Sequence, residues 1–156
     1  MTTPPIRPLR DDEIAAVVDL WARCGLTRPW NDPEQDIALA RATPHAEVLV
    51  LAEPDGLAGA VMVGHDGHRG AVYYLGVDPS KTGQGHGRGL MRAAEDWLRA
   101  PGVWKLNLLV RESNAAVLGF YAALGYGDQA CRVLGKRLDG RADRAAPGVT
   151  GEDAAG

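Results

Sequence analysis

Cysteine is scarce in this sequence. Cys24 and Cys131 are the only two among 156 residues, and neither belongs to a Cys-x-x-Cys pair. A disulfide framework and a thiolate metal knuckle are excluded on that count. Two reduced thiols in a cytoplasmic protein, with no metal, are the reading that remains. Long apolar runs are missing too. Nothing approaches the ~20 residues that a bilayer-spanning helix needs, so no membrane association is expected. The N-terminal "MTTPPIRPLRDDE" has no apolar core of the kind a signal peptide carries. Positive charge is not in surplus: 17 Lys and Arg stand against 20 Asp and Glu, a net charge of −3. The basic residues are scattered, which argues against a nucleic-acid-binding face. No internal repeat is visible.

What is present is an ordinary globular composition, 46% apolar and 24% charged. It suits one domain, long enough to bury a sizeable core. We place that domain at 1–138. The remainder, 139–156, reads "DGRADRAAPGVTGEDAAG". Such a segment cannot bury enough apolar area to offset its ordering entropy, so it is expected to be a disordered tail.

Local patterns give the elements. "IRPL" is an edge-strand candidate, because Pro8 would interrupt a central ladder. Ile14, Val17, Val18 and Trp21 form one apolar stripe of a helix over 11–23, capped by Asp11 or Asp12. A second helix opens at Asp32 as N-cap, with Pro33 in the first turn. "EVLVLA", "LAGAVMVG" and "AVYYLGV" read as three strands joined by the turns "PDG" and "DGHRG". A helix over 86–99 buries Leu90, Ala94, Trp97 and Leu98. "VWKLNLLV" is a further strand. "ESNAAVLGFYAALGY" holds a helix capped by Ser113 or Asn114 and stopped by Gly125. "ACRVLGKRL" is read as a final strand. The order, β-α-α-β-β-β-α-β-α-β, predicts an α/β chain with one mixed sheet and helices on both faces.

Within it, "SKTGQGHGRGL" places glycine at 83, 85, 87 and 89, between a strand and a helix N-terminus. Free backbone N–H groups point outward at such a turn, the helix dipole favours negative charge, and glycine lets an anion approach closely. The dinucleotide pattern Gly-x-Gly-x-x-Gly fails at Arg88 and Leu90. The P-loop pattern fails for want of a Lys-Ser/Thr pair.

Two stretches resemble the GNAT family of N-acetyltransferases. "YYLGVDPSKTGQGHGRGLM" is similar to the family's acetyl-CoA-binding motif, Arg/Gln-x-x-Gly-x-Gly/Ala after a strand. "NAAVLGFYAALGY" is similar to its second signature, Asn-x-x-Ala/Val-x-x-x-Tyr-x-x-x-Gly-Tyr/Phe. The resemblance covers roughly 5–138. "RPWNDPEQDI" and "HDGHRG" further resemble a small bacterial subgroup named YpeA. One departure stands out: the motif's leading Arg/Gln is Thr82 here.

The resemblance implies the acyl-CoA N-acyltransferase fold, a central mixed sheet splayed at the cofactor site. It implies acetyl-CoA as cosubstrate, with the pantetheine arm along Leu75, Gly76 and Val77. Gly76, a glycine inside a β-branched and aromatic strand, fits a bulge or a close backbone approach. The pyrophosphate would lie on Gln84, Gly85, His86, Gly87, Arg88 and Gly89. Lys81, Arg88 or Arg92 could add charge. Asn114 would reach the cofactor or simply cap its helix. Tyr121 would protonate the departing sulfur, since a phenol of pKa about 10 matches a thiolate of about 8.5–10.

The base for the acceptor stays open between Tyr73, His68 and a water relay, because Ala71 stands where some relatives carry Glu. Arg28, Glu34 and Asp36 are candidates for holding the acceptor, a small-molecule or peptide amine. The protein is expected as a monomer or homodimer. A non-catalytic CoA-binding module on the same fold is the alternative.

Overall fold

The computed structural model describes residues 5–142. Strand β1 spans Ile6–Pro8. A 3-10 turn at Asp11–Glu13 leads into α1, Ile14–Arg23, and α2 covers Pro33–Arg41. Strands β2, Ala46–Glu53, β3, Gly56–His65, and β4, Gly70–Val77, follow. After a short turn at Pro79–Lys81 come α3, His86–Arg99, strand β5, Leu106–Leu108, and α4, Ala115–Ala123. The strands lie in the order β1-β2-β3-β4-β5. The first four pair antiparallel and β5 joins β4 in parallel, so the sheet is mixed, as the element order implies. Pro8 sits on the edge strand β1, where its missing N–H interrupts nothing.

The two faces of the sheet bury separate apolar sets. Leu49, Leu51, Val61, Val63 and Val72 pack under α3, against Leu90, Met91, Ala94 and Leu98. Val48, Val50 and Ala60 pack under α1 and α2, against Val17, Leu20, Trp21 and Ile37. The side-chain period of two sends neighbours of β2 to opposite faces, and both faces are covered. At ~1.5–3 kcal/mol for each fully buried large side chain, this sandwich carries the fold. Trp97, expected in the stripe, is only half-buried, and Met91 takes that place.

Three expectations are corrected. The first helix is not capped by Asp11 or Asp12. Glu13 accepts the Arg10 N–H at 2.9 Å and grips the Arg7 guanidinium with both oxygens, while Asp11 pairs with Arg41 of α2. The strand expected over "VWKLNLLV" shrinks to three residues, because β4 stops offering it a ladder after Val72. The final strand over "ACRVLGKRL" does not form. Ala130 takes a left-handed backbone, φ +54°, as Asp128 accepts its N–H at 2.7 Å. Val133 and Leu134 stand 68% and 92% exposed. The expected tail over 139–156 falls, from residue 143 onward, outside the described residues.

Candidate active site

The site begins with a fault in β4. Ala60 pairs with Gly76 but Met62 pairs with Tyr73, so Tyr74 and Leu75 together oppose Val61 alone. This is a β-bulge, and Tyr74 has the left-handed backbone, φ +56°, that makes room for it. The extra residue resets the alternation. Val72, Leu75 and Val77 all pack toward α3, and Tyr74 packs toward α1. Beyond the bulge the Asp78 N–H donates to Ala58 O at 2.8 Å. Counting back along an antiparallel ladder, Gly76 spends its peptide groups on β3, and Leu75 and Val77 turn theirs to the opposite side.

On that side β5 has already left. Its ladder with β4 ends at Val72 and Leu108, and the two parallel strands diverge there. The backbone of Leu75 and the N–H of Val77 therefore face a gap, while the Val77 carbonyl accepts from the Cys24 thiol at 3.1 Å. Gly76 is needed for a different reason than the bulge. A Cβ on it would lie 3.1 Å from both Cys24 Sγ and Leu26 Cδ1, so the end of α1 can settle on the strand only over glycine.

At the C-terminal end of β4 the chain turns into the glycine loop. Asp78 holds the turn. It accepts from the Ser80 hydroxyl and N–H and from the Arg23 guanidinium, at 2.7–2.9 Å. These bonds, the Ser80 hydroxyl's first, keep its carboxyl well below the usual carboxylate range. Gly83 and Gly85 have left-handed backbones, φ +78° and +79°, with open space where a Cβ would point. Gly85 is the N-cap of α3, and no side chain caps that end. The first intrahelical bond runs from Gly89 N–H to Gly85 O at 3.0 Å. The N–H groups of His86, Gly87 and Arg88 thus precede the helical ladder and point out of the helix end. A Cβ on Gly87 would come 3.3 Å from Phe120 of α4, so glycine there permits α4 to pack on the loop.

The side chains of the loop divide. Thr82, Gln84, Arg88 and Arg92 are exposed. Lys81 is engaged: its ammonium lies 2.8 Å from Asp55 and 3.6 Å from Glu53. The His86 ring turns inward, its side chain 10% exposed, with Nε2 3.4 Å from Glu53 Oε1. His86 therefore offers the loop its backbone only.

Tyr121 comes from α4. Its ring meets Phe120 and Tyr126 edge-on, at 5.1 and 5.8 Å between centroids. It packs against the same core as Leu75, Val77 and Leu108, so the sheet brings it to the α3 side of the diverging strands. Burial pushes its phenol up from the ordinary value. Neighbouring Tyr126 is pushed up to about 12 by burial and by Glu95. Asn114 caps α4, accepting the Val117 N–H at 3.4 Å.

The remaining candidates separate. His68 lies two residues before β4, roughly 20 Å of extended strand from the bulge. Its N–H is held by Asp66 in the turn. Tyr73, 48% exposed, stands next to the bulge. Arg28 braces its own loop through Gly25 O and Thr27 O, at 2.7 and 2.8 Å. Asp36 is bound by the Tyr74 hydroxyl at 2.6 Å. A bulge or close backbone approach is expected in this strand from Gly76; the bulge lies at Tyr74 and Leu75 instead, the close approach lies at Gly76, and the contacts of Cys24 and Glu53 were not anticipated. Among the described residues no cluster of three or more His, Cys, Asp or Glu could hold a metal ion, and no helix is long and apolar enough to cross a membrane.

Comparisons with known proteins agree on one family. A family model described as acetyltransferase (GNAT) matches residues 14–126. An acetyltransferase of Pectobacterium atrosepticum is 47% identical over 134 residues, covering 85% of this chain and 94% of that relative. An uncharacterized N-acetyltransferase of Yersinia pestis is 46% identical over the same length and with the same coverage. Among solved structures, the ribosomal-protein-S18-alanine N-acetyltransferase of Escherichia coli superposes with a TM-score of 0.67. It is 27% identical, over 78% of this chain and 76% of that one. AAC(6')-Iy, in complex with the bisubstrate analogue CoA-S-monomethyl-acetylneamine, superposes at 0.73 with 15% identity, over 85% of this chain and 97% of that one. At that identity the likeness is one of fold.

Proposed function

The chain belongs to the GNAT acetyltransferase family and is an acyltransferase, and from that premise we propose that it carries an acetyl group from acetyl-CoA to a primary amine by direct attack. The acceptor is a peptide or small-molecule amine. The observation that carries this reading is the divergence of β4 and β5 at the bulge, which leaves the peptide groups of Leu75 and the N–H of Val77 without a strand partner beside the glycine loop.

The residues present fit such a cosubstrate. The uncapped N–H groups of His86, Gly87 and Arg88, reached across open glycines at 83 and 85, are donors suited to a diphosphate. Leu75 offers its peptide groups, and Val77 its N–H, to an amide-bearing arm. Arg88 and Arg92, both exposed, are available to further phosphate charge. Lys81 is occupied by carboxylates, so the backbone carries more of this task than the sequence alone implied.

Chemistry then needs a neutral amine, a polarised carbonyl and a proton for the leaving sulfur. The amine nitrogen forms the new C–N bond as the C–S bond breaks. A backbone N–H at the bulge polarises the carbonyl oxygen. Tyr121, kept protonated by its buried position, gives its proton to the thiolate. The amine proton leaves through water beside Tyr73.

Calorimetric titration with acetyl-CoA, with ATP and NAD as controls, tests the reading. Saturable binding of acetyl-CoA alone supports it, and a concentration 100-fold above Kd should add about 2.7 kcal/mol of stability in a melt. No binding at millimolar cosubstrate contradicts it.

A further inference from the structure

Tyr74 and Ala130 are the two non-glycine residues with left-handed backbones among the described residues. Ala130 lies in an exposed turn. Tyr74 lies inside a strand, at the register shift of the sheet that borders the gap. A residue with a Cβ holds such a backbone only when its surroundings over-determine it.

Two contacts do so here, from two different helices. The Tyr74 ring lies flat on Trp21 of α1, 4.2 Å between centroids and 15° between planes. Trp21 is completely buried, so the ring rests on a fixed surface. The Tyr74 hydroxyl donates to Asp36 Oδ2 of α2 at 2.6 Å. Burial and the Asp36 carboxylate both raise the phenol's pKa, so the hydroxyl keeps its proton and donates throughout the neutral range. α1 and α2 are the helices on either side of the 24–32 loop, the face on which an acceptor would approach.

We propose that Tyr74 is a positioning residue for acetyl transfer and that Asp36 is its partner. Their hydrogen bond, with the stack on Trp21, clamps the bulge. The clamp fixes the direction of the Leu75 peptide groups and so the place where the thioester carbonyl is held. It also ties that place to the helices around the acceptor loop. Asp36 is thereby a structural anchor of the site and not a free anion for the acceptor amine. The inference rests on the acetyl-transfer reading.

The test uses the full chain and three variants: Tyr74→Phe, which keeps the stack and removes the hydroxyl; Asp36→Asn, whose amide oxygen still accepts; and Asp36→Leu, which cannot accept. Steady-state kinetics with acetyl-CoA and an accepted amine should show kcat down about tenfold in Tyr74→Phe and Asp36→Leu, since a slightly misplaced carbonyl loses rate before affinity. KM for acetyl-CoA should stay within about threefold, and Asp36→Asn should retain near-normal kcat. Amide hydrogen exchange at 73–77 should quicken in the first and third variants and not in Asp36→Asn. Unchanged kcat in Tyr74→Phe overturns the proposal, as does equal loss in Asp36→Asn and Asp36→Leu. If the wild-type chain turns over no amine, the acetyl-transfer reading fails. The exchange arm alone then decides the clamp, and unchanged exchange in Tyr74→Phe sinks it.

Discussion

The Cys24 thiol donates to the Val77 carbonyl oxygen at 3.1 Å, and Gly76 beside it leaves the space in which the thiol sits. The end of α1 thus rests directly on the strand that borders the gap. Burial pushes the Cys24 thiol's pKa up, which suits a neutral packing group better than a nucleophile.

Gly76→Ala should therefore destabilise the fold. The new Cβ meets Cys24 Sγ and Leu26 Cδ1 at 3.1 Å and Trp21 Cδ1 at 3.4 Å, an overpacking that costs about 1–3 kcal/mol. Urea denaturation should show it. Adding Cys24→Ala should recover part of the loss, because the two sites share one space.

Tyr121→Phe should reduce kcat by about 10²-fold or more and leave acetyl-CoA affinity nearly unchanged. Burial raises the Tyr121 phenol. An acid that must be protonated keeps working until the pH passes its raised value. The alkaline limb of the rate profile should accordingly lie above the ordinary phenol value of about 10 and vanish in the variant. A pH–rate series on both proteins checks this.

Gly85 separates the need for a backbone shape from the need for space. Its φ is +79° and nothing lies within 4 Å of where a Cβ would be. Strain alone should weaken acetyl-CoA binding, by about tenfold for Gly85→Ala, at ~1–2 kcal/mol for a left-handed residue. Asn tolerates that region and Val does not, so calorimetry should rank Gly85→Asn above Gly85→Ala and Gly85→Val last.

Acid should loosen the start of the fold. Glu13 is held at about 2, first by its hydrogen bond from Arg7 and then by the Arg10 N–H, against some burial. A lowered folded-state pKa gives stability that is present above the unfolded value and lost as pH falls toward about 2. The pair is partly solvated, so its contribution is about 1 kcal/mol. Urea midpoints for wild type and Glu13→Gln should differ at pH 7 and converge near pH 2.

What could be read from the sequence was local. Alternating glycines before a helix, Asp32 ahead of Pro33 and Gly125 after an apolar turn each carry their meaning in adjacent residues, and the structure places them where those patterns imply. The mixed sheet followed from element order. What could not be read depended on partners far along the chain. Apart from Gly76, "AVYYLGV" has β character throughout, and nothing in it marks Tyr74 as left-handed. That backbone is set by Trp21 and Asp36, from two other helices. "ACRVLGKRL" has the opposite problem. It carries a strand's composition, but β5 is three residues long and provides no ladder to meet it. The bonds of Glu13 to the Arg10 N–H and to Arg7 were missed because Arg7, in the edge strand, draws that carboxylate into place.

The most direct test of the account is amine-dependent release of the CoA thiol by the purified full chain, with acetyl-CoA and a panel of peptide and small-molecule amines. The account predicts saturable release that requires both substrates, yields an N-acetylated product by mass spectrometry and falls sharply in Tyr121→Phe. Tight acetyl-CoA binding with no amine acetylated, or release indifferent to Tyr121, would contradict it.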